Sequence, residues 1–327
     1  MAAGATPARL DQPLPVEARG LVKRYGELCA VDNVDLTVEP GDVYGYLGPN
    51  GAGKTTSLRM LLGLIRPTGG RALLFGRDPM LSGRRALDGV AGFVEAPRFY
   101  PYMSGRRNLE LCAAFDGGDA RARIDHVLDD VELLDRARDR VGNYSHGMKQ
   151  RLGIAAALLR SPRLLILDEP NTGLDPAGMR DMKLLLRRLS SEGITVLLSS
   201  HQMDDVEELC NRVAIIDHGR ILYEGDVVSL KRTLGTWYRL TASDPELALG
   251  VGRSLGLPDL VLEGAQLRFS ADSEVVEQFV AELVRAGVGV RALVPQEASL
   301  EQLFFQLTEP EVAPEPEPAQ PPQRAAV

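Results

Sequence analysis

Residues Gly48 to Thr56 read Gly-Pro-Asn-Gly-Ala-Gly-Lys-Thr-Thr, a G-x-x-x-x-G-K-[ST] string. It lies between an apolar run, Val43 to Leu47, and the helical spacing of Leu58, Met60, Leu61 and Leu64, the strand and helix context in which such a string acts. Gly48, Gly51 and Gly53 let backbone N–H groups turn inward beside Asn50, at the positive end of a helix, with no Cβ in the way. Lys54 adds an ammonium; Thr55 and Thr56 add hydroxyls. This is chemistry for cradling phosphate oxygens, with the Thr55 hydroxyl placed to join a Mg²⁺ shell.

A second group follows four apolar residues, Leu164 to Leu167: the acidic pair Asp168-Glu169, then Pro170. Such a run fits a strand buried on both faces of a parallel sheet, and its C-terminal end is where α/β sheets place ligand chemistry. Behind a phosphate loop, Asp168 completes a Mg²⁺ shell with Thr55, and Glu169 orients an attacking water. One more buried strand, Ile194 to Leu198, delivers Ser199, Ser200 and His201. A histidine there either reaches a terminal phosphate or is structural. Tyr25 either stacks on a purine or packs at a strand end. Ser145 and Gly147, at the start of an apolar helix through Leu159, serve either as an anion site or as a plain N-cap.

The elements that must carry these groups are legible in outline. Strands are expected at Val31 to Val38, Val43 to Leu47, Ala72 to Phe75 and Val90 to Val94. The helix after the glycine loop stops near Arg66-Pro67-Thr68-Gly69-Gly70. Residues 98 to 142 are mostly helical and charged, an inserted subdomain, and Ala177 to Leu189 forms a further helix. Beyond residue 235, strands at 237–242, 259–262, 265–271 and 288–295 alternate with helices at 244–256 and 273–286 in the order of a split βαβ unit. A last helix covers Ser299 to Leu307, and the Pro, Glu and Ala tail from Glu309 reads as disordered by composition.

Composition sets bounds. The 327 residues suffice for a large core plus a smaller unit. A net charge of -8 argues against a nucleic-acid surface, which is usually basic. The three cysteines, Cys29, Cys112 and Cys210, are far apart and read as buried or incidental thiols. No run approaches the length of a membrane span, so any membrane role runs through a partner.

Taken together, the groups resemble the nucleotide-binding subunit of an ATP-binding cassette (ABC) transporter, over roughly residues 16 to 235. Tyr25 matches the family's adenine-stacking aromatic, Gly48 to Thr55 its Walker A loop, and Ser145 to Arg151 its signature motif. Asp168 and Glu169 match Walker B and the catalytic glutamate, Asp175 the D-loop, and His201 the switch histidine. Two positions depart from the pattern. The signature, usually L-S-G-G-Q, here reads Tyr144-Ser145-His146-Gly147-Met148, and Glu95 stands where the family's Q-loop has glutamine. Glu95, followed by Pro97, Phe99, Tyr100 and Pro101, looks like the branch of drug and antibiotic exporters of the daunorubicin, bacitracin and lantibiotic kind.

The resemblance implies an α/β fold, a P-loop NTPase cassette with a helical subdomain at about 96–150. An accessory α+β domain of split βαβ, ferredoxin-like form follows at 236–308, with an arm at 1–15 and a tail at 309–327. It implies an ATPase using ATP and Mg²⁺, with Glu169 and His201 catalytic and Thr55, Asp168 and Glu95 about the metal. Tyr25, Gly48, Asn50, Gly51, Gly53, Lys54, Thr55, Thr56, Ser145, Gly147 and Asp175 would bind nucleotide. Two copies would close head to tail over two nucleotides at the cytoplasmic face of the membrane, powering a separate permease, with no nucleic-acid partner. A soluble cassette ATPase acting on the ribosome or DNA is the main alternative, disfavoured by the lack of a second cassette or long coiled coil. A nucleotide-gated regulatory binder with weak hydrolysis is disfavoured by the intact Asp168-Glu169 pair.

Overall fold

The computed structural model describes residues 13–233 and 236–296, together with Leu300 and Phe304. The tail at 309–327, most of the arm at 1–15 and most of the helix expected over Ser299 to Leu307 lie outside the described residues.

The chain opens with strands β1 (Val16–Tyr25), β2 (Leu28–Val38) and β3 (Val43–Leu47), then helix α1 (Lys54–Leu61), β4 (Gly69–Leu74), the short α2 (Pro79–Ser82) and β5 (Val90–Phe93). The inserted helices are α3 (Gly105–Asp116) and α4 (Ile124–Asp130), followed by α5 (His146–Leu158), β6 (Leu164–Asp168) and α6 (Pro176–Ser191). Next come β7 (Thr195–Ser200), α7 (Met203–Leu209), β8 (Arg212–Asp217), β9 (Arg220–Asp226) and α8 (Val227–Thr233). The last unit is β10 (Trp237–Ala242), α9 (Pro245–Ser254), β11 (Val261–Glu263), β12 (Gln266–Ser270), α10 (Ser273–Arg285) and β13 (Val290–Gln296).

A six-stranded sheet runs β5-β6-β7-β3-β8-β9, parallel except for the antiparallel edge pair β8–β9. Its central strands are apolar on both sides because each side faces a core. Leu47, Leu165, Leu167 and Leu198 point to the side of α5, α6, α7 and the inserted helices. Tyr44, Tyr46, Leu164, Ile166 and Leu197 point to α1 and the three-stranded antiparallel sheet β2-β1-β4. Each fully buried Leu or Ile contributes about 1.5–3 kcal/mol to holding this sheet between its two cores.

Helix starts follow their caps. Ser104 accepts from Arg107 N at the head of α3, and Asp175 accepts from Gly178 N at 2.9 Å with Pro176 in the first turn of α6. The structure extends β7 two residues past the expected Leu198, because Ser199 and Ser200 remain in register with Asp168 and Leu47. The last unit is a four-stranded antiparallel sheet in the order β11-β12-β10-β13, backed by α9 and α10 around Leu240, Phe269, Phe279 and Leu283. Its strand-helix-strand-strand-helix-strand order is the split βαβ arrangement. The fold is thus a P-loop NTPase cassette with a helical subdomain and a C-terminal α+β domain. Among the described residues no helix is long and apolar enough to cross a membrane.

Candidate active site

Parallel pairing decides which groups meet. Leu47 is level with Ser200, and Asp168 is level with Ser199. The chain therefore leaves β3, β6 and β7 at one edge of the sheet, bringing the Gly48 to Thr56 loop, the Asp168-Glu169 pair and His201 together.

The loop is held from behind. A Cβ on Gly48 would lie 2.2 Å from the Ile216 carbonyl oxygen, so no other residue fits there without a backbone shift. Gly53 has φ 104°, and a Cβ on it would lie 2.3 Å from Ala30 O. As N-cap of α1 it offers no side chain, which leaves the first N–H groups of the helix free to face a ligand. Gly219, in the β8–β9 turn, donates its N–H to Ala52 O at 3.0 Å and props the loop from the sheet side. The buried Tyr46 hydroxyl shares a 3.1 Å hydrogen bond with Ser57 Oγ, joining β3 to α1. Burial pushes that phenol well above its ordinary value, so it stays neutral.

Lys54 is buried and donates to Gly48 O at 2.6 Å and Pro49 O at 3.1 Å, with its ammonium 3.3 Å from Glu169 Oε1. Thr55 Oγ1 donates to Asp168 Oδ2 at 2.9 Å. Two hard oxygen donors from different elements thus stand side by side, as a Mg²⁺ site completed by substrate phosphates requires. Among the described residues no cluster of three His, Cys, Asp or Glu side chains forms a self-sufficient metal cage.

Glu169 carries an unusual backbone, φ 50°, a left-handed conformation that costs of order 1–3 kcal/mol away from glycine. Its N–H donates to Ser199 Oγ at 3.0 Å, and Thr172 N donates to its carbonyl at 3.1 Å, which together hold that geometry. Its carboxylate is 2.8 Å from His201 Nδ1 and accepts from Thr172 Oγ1 at 3.2 Å. Ser199 also donates to Asp168 Oδ1 at 2.5 Å. This fully buried hydroxyl was not singled out by sequence reasoning; two serines closing an apolar strand were the signal.

The other expected site residues distribute in two groups. Tyr25, half exposed, lines one cleft of about 340 Å³ with Asn50, Gly51, Gly53, Lys54, Thr55, Thr56 and Glu169. Leu28 and Ala30, which sequence reasoning did not single out, add its apolar wall. Ser145, Gly147 and Asp175 do not line that cleft. Ser145 caps α5 by accepting from Met148 N at 3.2 Å, and Ser145 and Asp175 are exposed. His146 opens α5 with ordinary helical backbone, so its departure from the signature costs no strain. The Glu95 carboxylate is paired with the Arg59 guanidinium, one helical turn beyond Thr55, and its φ is 71°.

Comparison with known proteins bears on this arrangement. The family model for ABC transporters matches residues 31–172. The chain is 42% identical over 235 residues to the bacitracin transport ATP-binding protein of Bacillus licheniformis, covering 72% of this chain and 77% of that protein. It is 37% identical over 311 residues to the daunorubicin/doxorubicin resistance ATP-binding protein of Streptomyces peucetius, covering 90% and 92%. A solved ATP binding subunit of an ABC transporter superposes with a TM-score of 0.60 at 27% identity, over 67% of this chain and 92% of that one. Fold, edge-clustered phosphate chemistry and these similarities agree that the chain belongs to the ABC transporter family, as one of its ATP-binding subunits.

Proposed function

We propose that this subunit hydrolyses ATP to drive export of a drug or antibiotic through a separate membrane permease. The observation that carries the hydrolytic part is the convergence of Lys54, Thr55, Asp168, Glu169 and His201 at one sheet edge, with Lys54 and His201 both on the Glu169 carboxylate and Thr55 on that of Asp168. The names of its relatives, transport of bacitracin and resistance to daunorubicin, support the export part.

In this reading, Tyr25 stacks on the adenine at the mouth of the cleft. The loop amides from Gly48, Asn50, Gly51 and Gly53, with Lys54 and Thr56, hold the phosphates. Thr55 and Asp168 would hold Mg²⁺, which would supply positive charge to neutralise the phosphate oxygens. Glu169 accepts the proton of the attacking water, and His201, hydrogen-bonded to Glu169, fixes the carboxylate and faces the terminal phosphate.

Ser145, Gly147 and Asp175 act on the nucleotide of a second copy of the chain. The exposure of Ser145 and Asp175, and the place of all three outside the cleft, fit a head-to-tail dimer. The catalytic unit spans 16–235 and the accessory unit 236–308. Glu95, released from Arg59, is the point at which the nucleotide state reaches the permease at the cytoplasmic face.

The test is Glu169→Gln in purified protein. Removing a general base lowers turnover by about 10²–10⁴-fold, with Mg-ATP affinity retained and an ATP-bound dimer accumulating on a sizing column. Wild-type turnover in that variant would refute the base assignment. Co-expression with a candidate permease, a chain with about six membrane-spanning segments, followed by drug tolerance assays, tests the export part.

A further inference from the structure

The loop after β6 and the corner after β7 are joined twice. One link is the 2.8 Å contact between Glu169 Oε2 and His201 Nδ1. The second lies behind it. Asn171, two residues beyond Glu169, donates from Nδ2 to Asp205 Oδ2 at 2.8 Å, and Asp205 follows His201 by four residues on α7. Asn171 is 7% exposed and Asp205 6%.

The turn that carries Asn171 is the same one that holds Glu169. Thr172 N donates to Glu169 O at 3.1 Å, and Leu174 N donates to Asn171 O at 3.2 Å. Asp205 is in turn tied to α6, because Lys183 Nζ is 3.1 Å from Asp205 Oδ1 and also pairs with Glu208. One buried carboxylate thus links three segments: the Glu169 turn, α6 and the helix that follows His201.

This arrangement carries a cost. An ionised carboxylate only accepts hydrogen bonds, so Asn171 must turn its NH₂ toward Asp205. Its carbonyl Oδ1 is then left buried without a hydrogen-bond partner among the described residues. A bare buried oxygen is destabilising, and apolar residues of similar size often replace a buried polar pair without loss. The pair is therefore poorly explained by stability alone. It is well explained by geometry, since Glu169 sits in a strained backbone conformation that an unanchored turn would relax.

We propose that Asn171 and Asp205 are positioning residues for ATP hydrolysis, their buried bond setting the spacing between the Glu169 turn and the His201 corner. The inference rests on the reading of Glu169 as the base. Lys183 keeps the Asp205 charge compensated, and the exposed Glu169–His201 contact inherits its distance from the buried one.

The experiment compares Asn171→Leu, Asn171→Asp and the exchanged pair Asn171→Asp/Asp205→Asn, each in the wild-type and Glu169→Gln backgrounds. Turnover, KM for ATP and single-turnover rates are read, with thermal unfolding as the folding control. Asn171→Leu is expected to lower kcat by about 10- to 100-fold, the effect of a misplaced reacting group, with KM for ATP changed less than about 3-fold. In the Glu169→Gln background the same change should alter the single-turnover rate by less than about 2-fold, because the group it positions has lost its function. Asn171→Asp sets two carboxylates against each other and is also impaired; the exchanged pair restores the bond and recovers most of kcat.

Equal losses in both backgrounds, an unchanged kcat in Asn171→Leu, or an exchanged pair no better than Asn171→Asp would overturn the inference. If Asn171→Leu does not fold, the exchanged pair against Asn171→Asp decides. Wild-type turnover in Glu169→Gln alone would overturn the base assignment and this inference with it. An inactive Glu169→Gln beside an unaffected Asn171→Leu would overturn only the positioning role.

Discussion

Ser199→Ala is the most informative single change behind the cleft. The Ser199 hydroxyl is fully buried, donates to Asp168 Oδ1 at 2.5 Å and accepts the Glu169 N–H at 3.0 Å. Alanine removes one hydrogen bond to a charged group, about 1.5–3 kcal/mol, and leaves the Glu169 N–H without its acceptor, about 1–3 kcal/mol. Asp168 keeps its bond from Thr55, and the Glu169 amide bond is only part-buried, so the two terms do not add in full. The net destabilisation expected is about 2–4 kcal/mol. Urea unfolding followed by fluorescence measures it as a lower midpoint at unchanged slope.

The same change loosens Asp168 and removes one of the anchors on the strained Glu169 backbone. The Mg²⁺ concentration for half-maximal ATPase activity should therefore rise several-fold and kcat should fall by about 10-fold. A stability loss under about 0.5 kcal/mol with normal Mg²⁺ dependence would refute the claim that Ser199 orders these two carboxylates.

Other outcomes follow from the same geometry. Gly48→Ala forces a Cβ to 2.2 Å from Ile216 O and should destabilise the protein by about 1–3 kcal/mol while abolishing binding of a fluorescent ATP analogue; a normal binding isotherm would contradict it. Glu95→Gln breaks an exposed ion pair with Arg59 and should shift stability by less than about 1 kcal/mol. A change in permease-coupled ATPase activity beyond that in the isolated subunit would then report coupling, and an unchanged coupled rate would show the residue to be neutral there.

How far the chain could be read depends on how local each signal is. The glycine loop of 48–56 and the run Leu164 to Glu169 each lie within one strand and its following turn, and the periodicity on either side names the elements. The accessory unit was legible for the same reason: each of its strands and helices has its own period, and the order alone limits the topology. Boundaries drifted where pairing outlasts hydrophobicity, as at Ser199 and Ser200, which are polar yet in register. The two readings of Ser145 are not separable by local chemistry, because a helix cap and an anion contact ask for the same side chain.

What the sequence determined by itself is the set of chemical groups and the order in which strands and helices present them, since backbone propensity, caps and hydrophobic period are local. What only the tertiary structure decided is which groups touch. Glu95 meets Arg59 rather than Thr55, Ser199 serves Asp168 and Glu169 together, and Asn171 meets Asp205 across 34 positions of chain. The parallel register of β3, β6 and β7 sets the last two encounters and the packing of α1 near the end of β5 the first, and these depend on how both faces of the sheet pack, which no single segment encodes.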